Sequence, residues 1–275
     1  MAHHIAKEGK LEETGRLQLL AHSLFAYYEP TILKILDRMI RIEFLQGRGR
    51  PLLVFTRKQL DFLPRGEIVS GQRTHDFIDA IANSQSSKIS LSPCICQDAL
   101  GKRKGCYRKD IVVLYGTEVY EKVKHDVAEI SPEETKRLIE QLVEEGCMQT
   151  FYACMRSQGW MVVICNCERE ICVPFRCHQL VGGVLHPGPD IIECREDLCI
   201  KCGKCVERCH FGANSLENGS LRVELGKCYG CGICVSSCLA EARRLTERED
   251  YENMYYPQDF VALFLQNKRE RISRL

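Results

Sequence analysis

The chain has 275 residues, with 38 basic and 37 acidic side chains and 18 cysteines. That length supplies a hydrophobic core of its own, so disulfides are not needed to hold a fold. A charge balance near zero argues against nucleic acid as a partner, because phosphate binding favours a strongly basic surface.

The first residues, MAHHIAKEGKLEETGRL, are polar and charged and show no apolar leader segment. No apolar run reaches the roughly 18 residues of a bilayer-crossing helix, so no transmembrane segment is expected. Together these features point to the cytoplasm, where thiols stay reduced and dense cysteine usage signals metal or redox chemistry.

In chain order, residues 1–50 read as a helical region. Leu17, Leu20, Leu24 and Tyr28, then Ile32, Leu36, Met39 and Ile40, recur at helical spacing and predict a core-facing stripe. Pro30 is expected to break the run and open a second helix. Residues 51–185 read as a mixed α/β domain. LLVF (52–55), KISLSP (88–93) and DIVVLYG (110–116) predict strands, and 74–84 a helix. Ser131-Pro132-Glu133-Glu134 is a helix start with a capping box, and the helix should run to Gly146. Residues 146–154 and 160–167 then form a hairpin. GGVLHPGPD (182–190) predicts a linker, 186–248 a small cysteine-rich domain, and DFVALFLQ (259–266), within 249–275, a terminal docking helix. The fold class is α+β.

The cysteine-rich domain carries the sharpest signal. LCIKCGKCVERCH holds Cys199, Cys202, Cys205 and Cys209, and KCYGCGICVSSCL holds Cys228, Cys231, Cys234 and Cys238. Both are C-x2-C-x2-C-x3-C. Three cysteines at this spacing wrap a loop over a cubane, and the fourth points back to the other cluster. Two [4Fe–4S] clusters are expected: one on Cys199, Cys202, Cys205 and Cys238, the other on Cys228, Cys231, Cys234 and Cys209. Zinc sites seldom use eight cysteines in such a repeat.

On these residues, 190–245 resembles the bacterial two-cluster ferredoxin family. His210 and Leu239 stand where the family usually has proline. Residues 190–244 hold eight acidic and eight basic side chains, whereas free ferredoxins tend to be acidic. The balance suggests a built-in relay in place of a diffusing carrier.

Upstream lie Cys94 and Cys96 in SPCICQ, Cys106 in GKRKGC, and Cys165, Cys167 and Cys172 in VVICNCEREIC. Both C-x-C pairs follow strand-like runs, and residues two apart on a strand share a face, so the pairs can converge. Three readings stay open for these six cysteines: a third iron–sulfur cluster, a zinc ion, or buried thiols without metal. Cys147, Cys154, Cys177 and Cys194 read as core or supporting residues. Over about 50–245 the order of elements resembles a family of cytosolic iron–sulfur proteins with C-x-C-R and I-C-N-C segments, although Gln97 replaces the arginine and 110–116 lacks a further cysteine. The resemblance implies electron transfer beside larger oxidoreductases.

The function expected from the sequence is therefore an electron-transfer iron–sulfur protein, a subunit or partner of a cytosolic oxidoreductase complex. Two alternatives remain at this point. One is an iron–sulfur redox-sensing regulator, with 13–46 and 131–165 mimicking a winged helix. The other is a self-sufficient reductase using the upstream cysteines.

Overall fold

The computed structural model describes residues 16–59, 66–83, 88–114, 116–123, 125–156, 159–218, 220–249 and 251. The apolar stretch 259–266 and the basic tail after it lie outside them. The fold is α+β, as expected.

Three helices come first: α1 (Arg16–Ile40), α2 (Glu43–Gln46) and α3 (Arg50–Gln59). Pro30 does not break α1, which runs through it as one helix. The lost backbone hydrogen bond is outweighed by packing on both sides of the proline: Ala26 lies against Val119 and Tyr120, and Leu33 against Ile95 and Val173. The predicted stripe is also corrected. Leu20, Leu24, Tyr28 and Ile32 are exposed, Leu24 by 52%, whereas Ala26 and Leu33 are buried. The helix is apolar on more than one side, and the small Ala26 lets it approach the body closely. LLVF is not a strand; it lies inside α3, with Pro51 in the first turn, where a missing N–H costs nothing.

The body follows as β1 (Gly66–Val69), α4 (Gly71–Ala82), β2 (Ile89–Pro93), α5 (Ile95–Leu100), β3 (Arg108–Leu114), α6 (Gly116–Lys122), β4 (Ala128–Glu129), α7 (Pro132–Glu145), β5 (Met148–Arg156), β6 (Gly159–Cys167), α8 (Val173–Val181) and β7 (Leu185–His186). The capping box of α7 forms as read: the Ser131 hydroxyl accepts from Glu134 N, and Glu134 reaches back to Ser131 N. Gly146 ends the helix at φ 92°.

Seven strands make one sheet in the order β4-β2-β3-β6-β5-β1-β7. The pairings are antiparallel except β1–β7. The C-terminal ends of β2, β6, β1 and β7 therefore all lie at one end of the sheet. On one face, Phe77 and Ile81 of α4 and Ile139 of α7 pack on Ile111, Val113, Phe151 and Ile164. On the other, α1 and α6 cover Val112, Val163 and Cys165. The alternation along β3 and β6 is the period-two pattern of a strand buried on both faces. The β5–β6 hairpin sits in mid-sheet, with β6 paired to β3 and β5 to β1, so it is not the projecting wing of a winged helix.

The last elements are β8 (Asp190–Cys194), α9 (Lys204–Glu207), β9 (Asn214–Glu217), β10 (Ser220–Val223), α10 (Ile233–Ser236) and β11 (Arg243–Glu247). β8 pairs with β11 and β9 with β10, so the outer strands enclose two similar loop-and-helix units. The expected linker is instead built in. β7 joins the large sheet, and two residues after Gly188 the chain enters β8. A Cβ on Gly188 would stand 1.8 Å from Ile68 O, so the backbones touch there and glycine is required.

Candidate iron–sulfur site

Two hollows open in the C-terminal unit. The first is lined by Cys199, Cys202, Cys205 and Cys238. The second is lined by Cys209, Cys228, Cys231 and Cys234. Each set takes three cysteines from one run and the fourth from the other. The backbone turns this needs come from glycine. Gly230 lies at φ 76°, and a Cβ there would stand 2.1 Å from Asp190 O.

The donor set suits iron. Burial pushes the Cys231 thiol up, and Cys234 up to about 12, so neither is a thiolate at neutral pH by itself. A bound cation is what would draw those protons off. Among the described residues, no three His, Cys, Asp or Glu side chains are grouped as the ligands of a single ion; the corner thiolates of a cubane stand wider apart than such ligands.

The surroundings of the hollows differ. The first is lined by exposed apolar side chains, with Ile200 67% and Leu216 41% accessible. Behind it, the buried Arg243 donates to Cys205 Sγ at 3.3 Å. The second faces the body: Phe211 and Tyr229 line it, stacked with centroids 4.0 Å apart and planes 6° off parallel.

The unit is seated on the body by polar contacts. Arg208 donates to Val143 O and Glu144 O at the end of α7, where a cation suits the helix terminus. His210 Nε2 donates to Gly146 O at 2.8 Å, so the residue in the usual proline position is a tether. Asp190 accepts from Ser70 and Arg73. Leu185 N donates to His178 Nδ1, which leaves the proton on Nε2 and makes it the donor to the Tyr229 hydroxyl.

Of the six upstream cysteines, five are brought together at the shared sheet end. Cys165 and Cys167 lie on one face of β6, Cys172 caps α8, and Cys94 and Cys96 flank the start of α5. Cys94 and Cys96 do not lie on a strand, because Pro93 ends β2 and the chain turns directly into helix. Hydrogen bonds from Cys165 and Cys172 hold the Cys167 thiol well below its ordinary value, and Cys172 also meets Cys96. Asp110, buried beside Cys94 and Cys167, is pushed up to about 8 by burial and by the Cys167 charge. Cys106 is not part of this group: its thiol donates to Arg108 O. Cys147 lies beside Lys109, and Cys177 packs with Cys94 and Cys96.

Sequence reasoning missed Lys109 and Arg243, and noted Gln97 without its role. A register shift at Ser92/Pro93 makes Lys109 an extra residue in β3, and its ammonium turns inward to Glu168 at 2.5 Å. Gln97 donates to Lys104 O and Glu168 and accepts from Lys104 N, which fastens the loop after α5.

No protein-family model matches the chain, and no solved structure does. A stretch of 57 residues, 20% of this chain, is 40% identical to the archaeal-type glutamate synthase [NADPH] of Thermotoga maritima, and to the same degree to that of Thermotoga sp. strain RQ2. The chain spans only 11% of those relatives' length. Among the described residues, no helix is long and apolar enough to cross a membrane.

Proposed function

We propose that the protein is an electron-transfer iron–sulfur protein of the cytoplasm. Cys199, Cys202, Cys205 and Cys238 hold one [4Fe–4S] cluster, and Cys209, Cys228, Cys231 and Cys234 hold the other. The observation that carries this reading is the crossing: each hollow is lined by three cysteines of one run and the fourth of the other. The clusters supply one-electron chemistry; the chain supplies thiolates, backbone turns and a dry wall of Phe211 and Tyr229.

The exposed rim at Ile200 and Leu216 suits a redox partner that docks over the first hollow. Exposed apolar residues of α1 and α3, among them Leu24 and Phe55, support work within an oxidoreductase assembly. The matched segment in an enzyme described as NADPH-linked agrees with that placement. The regulator reading loses its wing, because the hairpin is internal to the sheet.

The test is a comparison of variants in full-length protein reconstituted without oxygen. Cys209→Ala and Cys228→Ala should each remove about four irons and the same EPR signal, and Cys238→Ala and Cys202→Ala the other signal. Loss of one signal by Cys209→Ala and Cys202→Ala together would reverse the ligand assignment. Stoichiometric zinc in place of iron would end the reading.

A further inference from the structure

The upstream thiols lie in the same apolar body as the second hollow. Cys165, Cys167 and Cys172 pack in one cluster with Phe175, Phe211, Tyr229 and Cys231. Five thiols at one sheet end, drawn from three elements, are more than packing asks for, since a lone buried cysteine is a small hydrophobe. Four stand as neighbours in series, Cys165 near Cys167, Cys167 near Cys172 and Cys172 near Cys96. Cys94 faces Cys96 and Cys167 at longer range.

A second, independent observation points to a ligand. Thr150 and Tyr152 stand on the face of β5 beside Cys165, where Thr150 is its register partner. The hydroxyls of Tyr152 and of the fully buried Thr150 are both buried without a hydrogen-bond partner, Thr150 beside Cys167. Two buried donors aimed among thiols cost stability unless something there accepts from them. The sulfides and thiolates of a cluster are such acceptors.

We propose that Cys96, Cys165, Cys167 and Cys172 hold a third iron–sulfur cluster, with Thr150 and Tyr152 as hydrogen-bond donors to its sulfurs. Cys94 and Cys106 are not ligands. Phe175 joins this site to the second hollow. Its backbone N–H donates to Cys172 Sγ at 3.4 Å, and its ring lies 5.5 Å from Phe211, which is stacked on Tyr229. A single electron passing between the two sites leaves one cluster oxidised and the other reduced, with no bond made and no proton moved. This relay role rests on the reading of the C-terminal unit given above; the thiol site itself does not.

The experiment measures iron, sulfide and zinc in full-length protein reconstituted without oxygen, with Mössbauer and EPR spectra. Wild type should hold about twelve irons, four beyond those of the two ferredoxin-type sites. Cys167→Ala with Cys172→Ala should lose about four irons and keep both C-terminal signals, while Cys94→Ala should keep all of them. About eight irons in wild type would overturn the proposal without any variant having to fold. So would unchanged iron in the double variant, or one zinc per chain beside eight irons. The C-terminal reading fails separately, if Cys209→Ala and Cys238→Ala leave iron unchanged.

Discussion

Arg243 stands beside Cys205 with its guanidinium largely out of water. A fixed positive charge there favours the more negative, reduced form of a cluster on Cys199, Cys202, Cys205 and Cys238. Arg243→Gln should lower that cluster's potential by on the order of tens of millivolts in an EPR-monitored titration and leave the other unmoved; equal shifts in both would refute the local role. Asp37 ties α1 to α8. Burial alone would raise its carboxyl, but hydrogen bonds from Arg41 and Arg176 outweigh that and hold it below the ordinary range. A lowered folded pKa means the contribution is complete above the ordinary carboxylate range and is lost as pH falls through the lowered value. Asp37→Asn should cost about 1–3 kcal/mol at pH 7 in denaturant unfolding. The cost should shrink as pH is lowered into the carboxylate range, and a cost independent of pH would contradict the ion pair. The Ser131 cap was legible because its partners are three residues apart. Arg243 and Lys109 were not, since their positions depend on a distant strand pairing and on a bulge.

Elements with strong local signals formed where the sequence put them: α7 with its capping box and αL glycine, and the β5–β6 pair with its alternation. Two segments did otherwise because tertiary packing decided them. LLVF is β-prone, yet in a short helix against α8 it half-buries Leu53 and Val54 and leaves Leu52 and Phe55 exposed. Pro30 is tolerated because α1 is fastened to the body before and after it. At the end of α9's unit, the ferredoxin-like proline is replaced by a residue that donates to Gly146 O. His210→Pro restores the family's turn but removes that donor, and should lower stability by about 1 kcal/mol with iron content unchanged. Thermal unfolding of the reconstituted protein checks this, and a higher midpoint would show that the tether carries no stability.

At the scale of the molecule, the cysteine spacing announced a two-cluster unit, but neither its seat nor its neighbours could be read in advance. The sheet order places Cys94, Cys96, Cys165, Cys167 and Cys172 at one end, and no local pattern encodes strand order. The predicted linker proved to be strand β7 and a close backbone crossing at Gly188, because Gly and Pro mark tight packing as readily as freedom. The two hollows consequently differ: one faces outward under an apolar rim, the other inward on stacked aromatics. EPR of the full-length protein, purified without oxygen and reduced with dithionite, tests the central claim most directly. The account predicts reduced [4Fe–4S] signals broadened by interaction between neighbouring clusters. A protein that carries zinc and gives no reducible iron signal would contradict it.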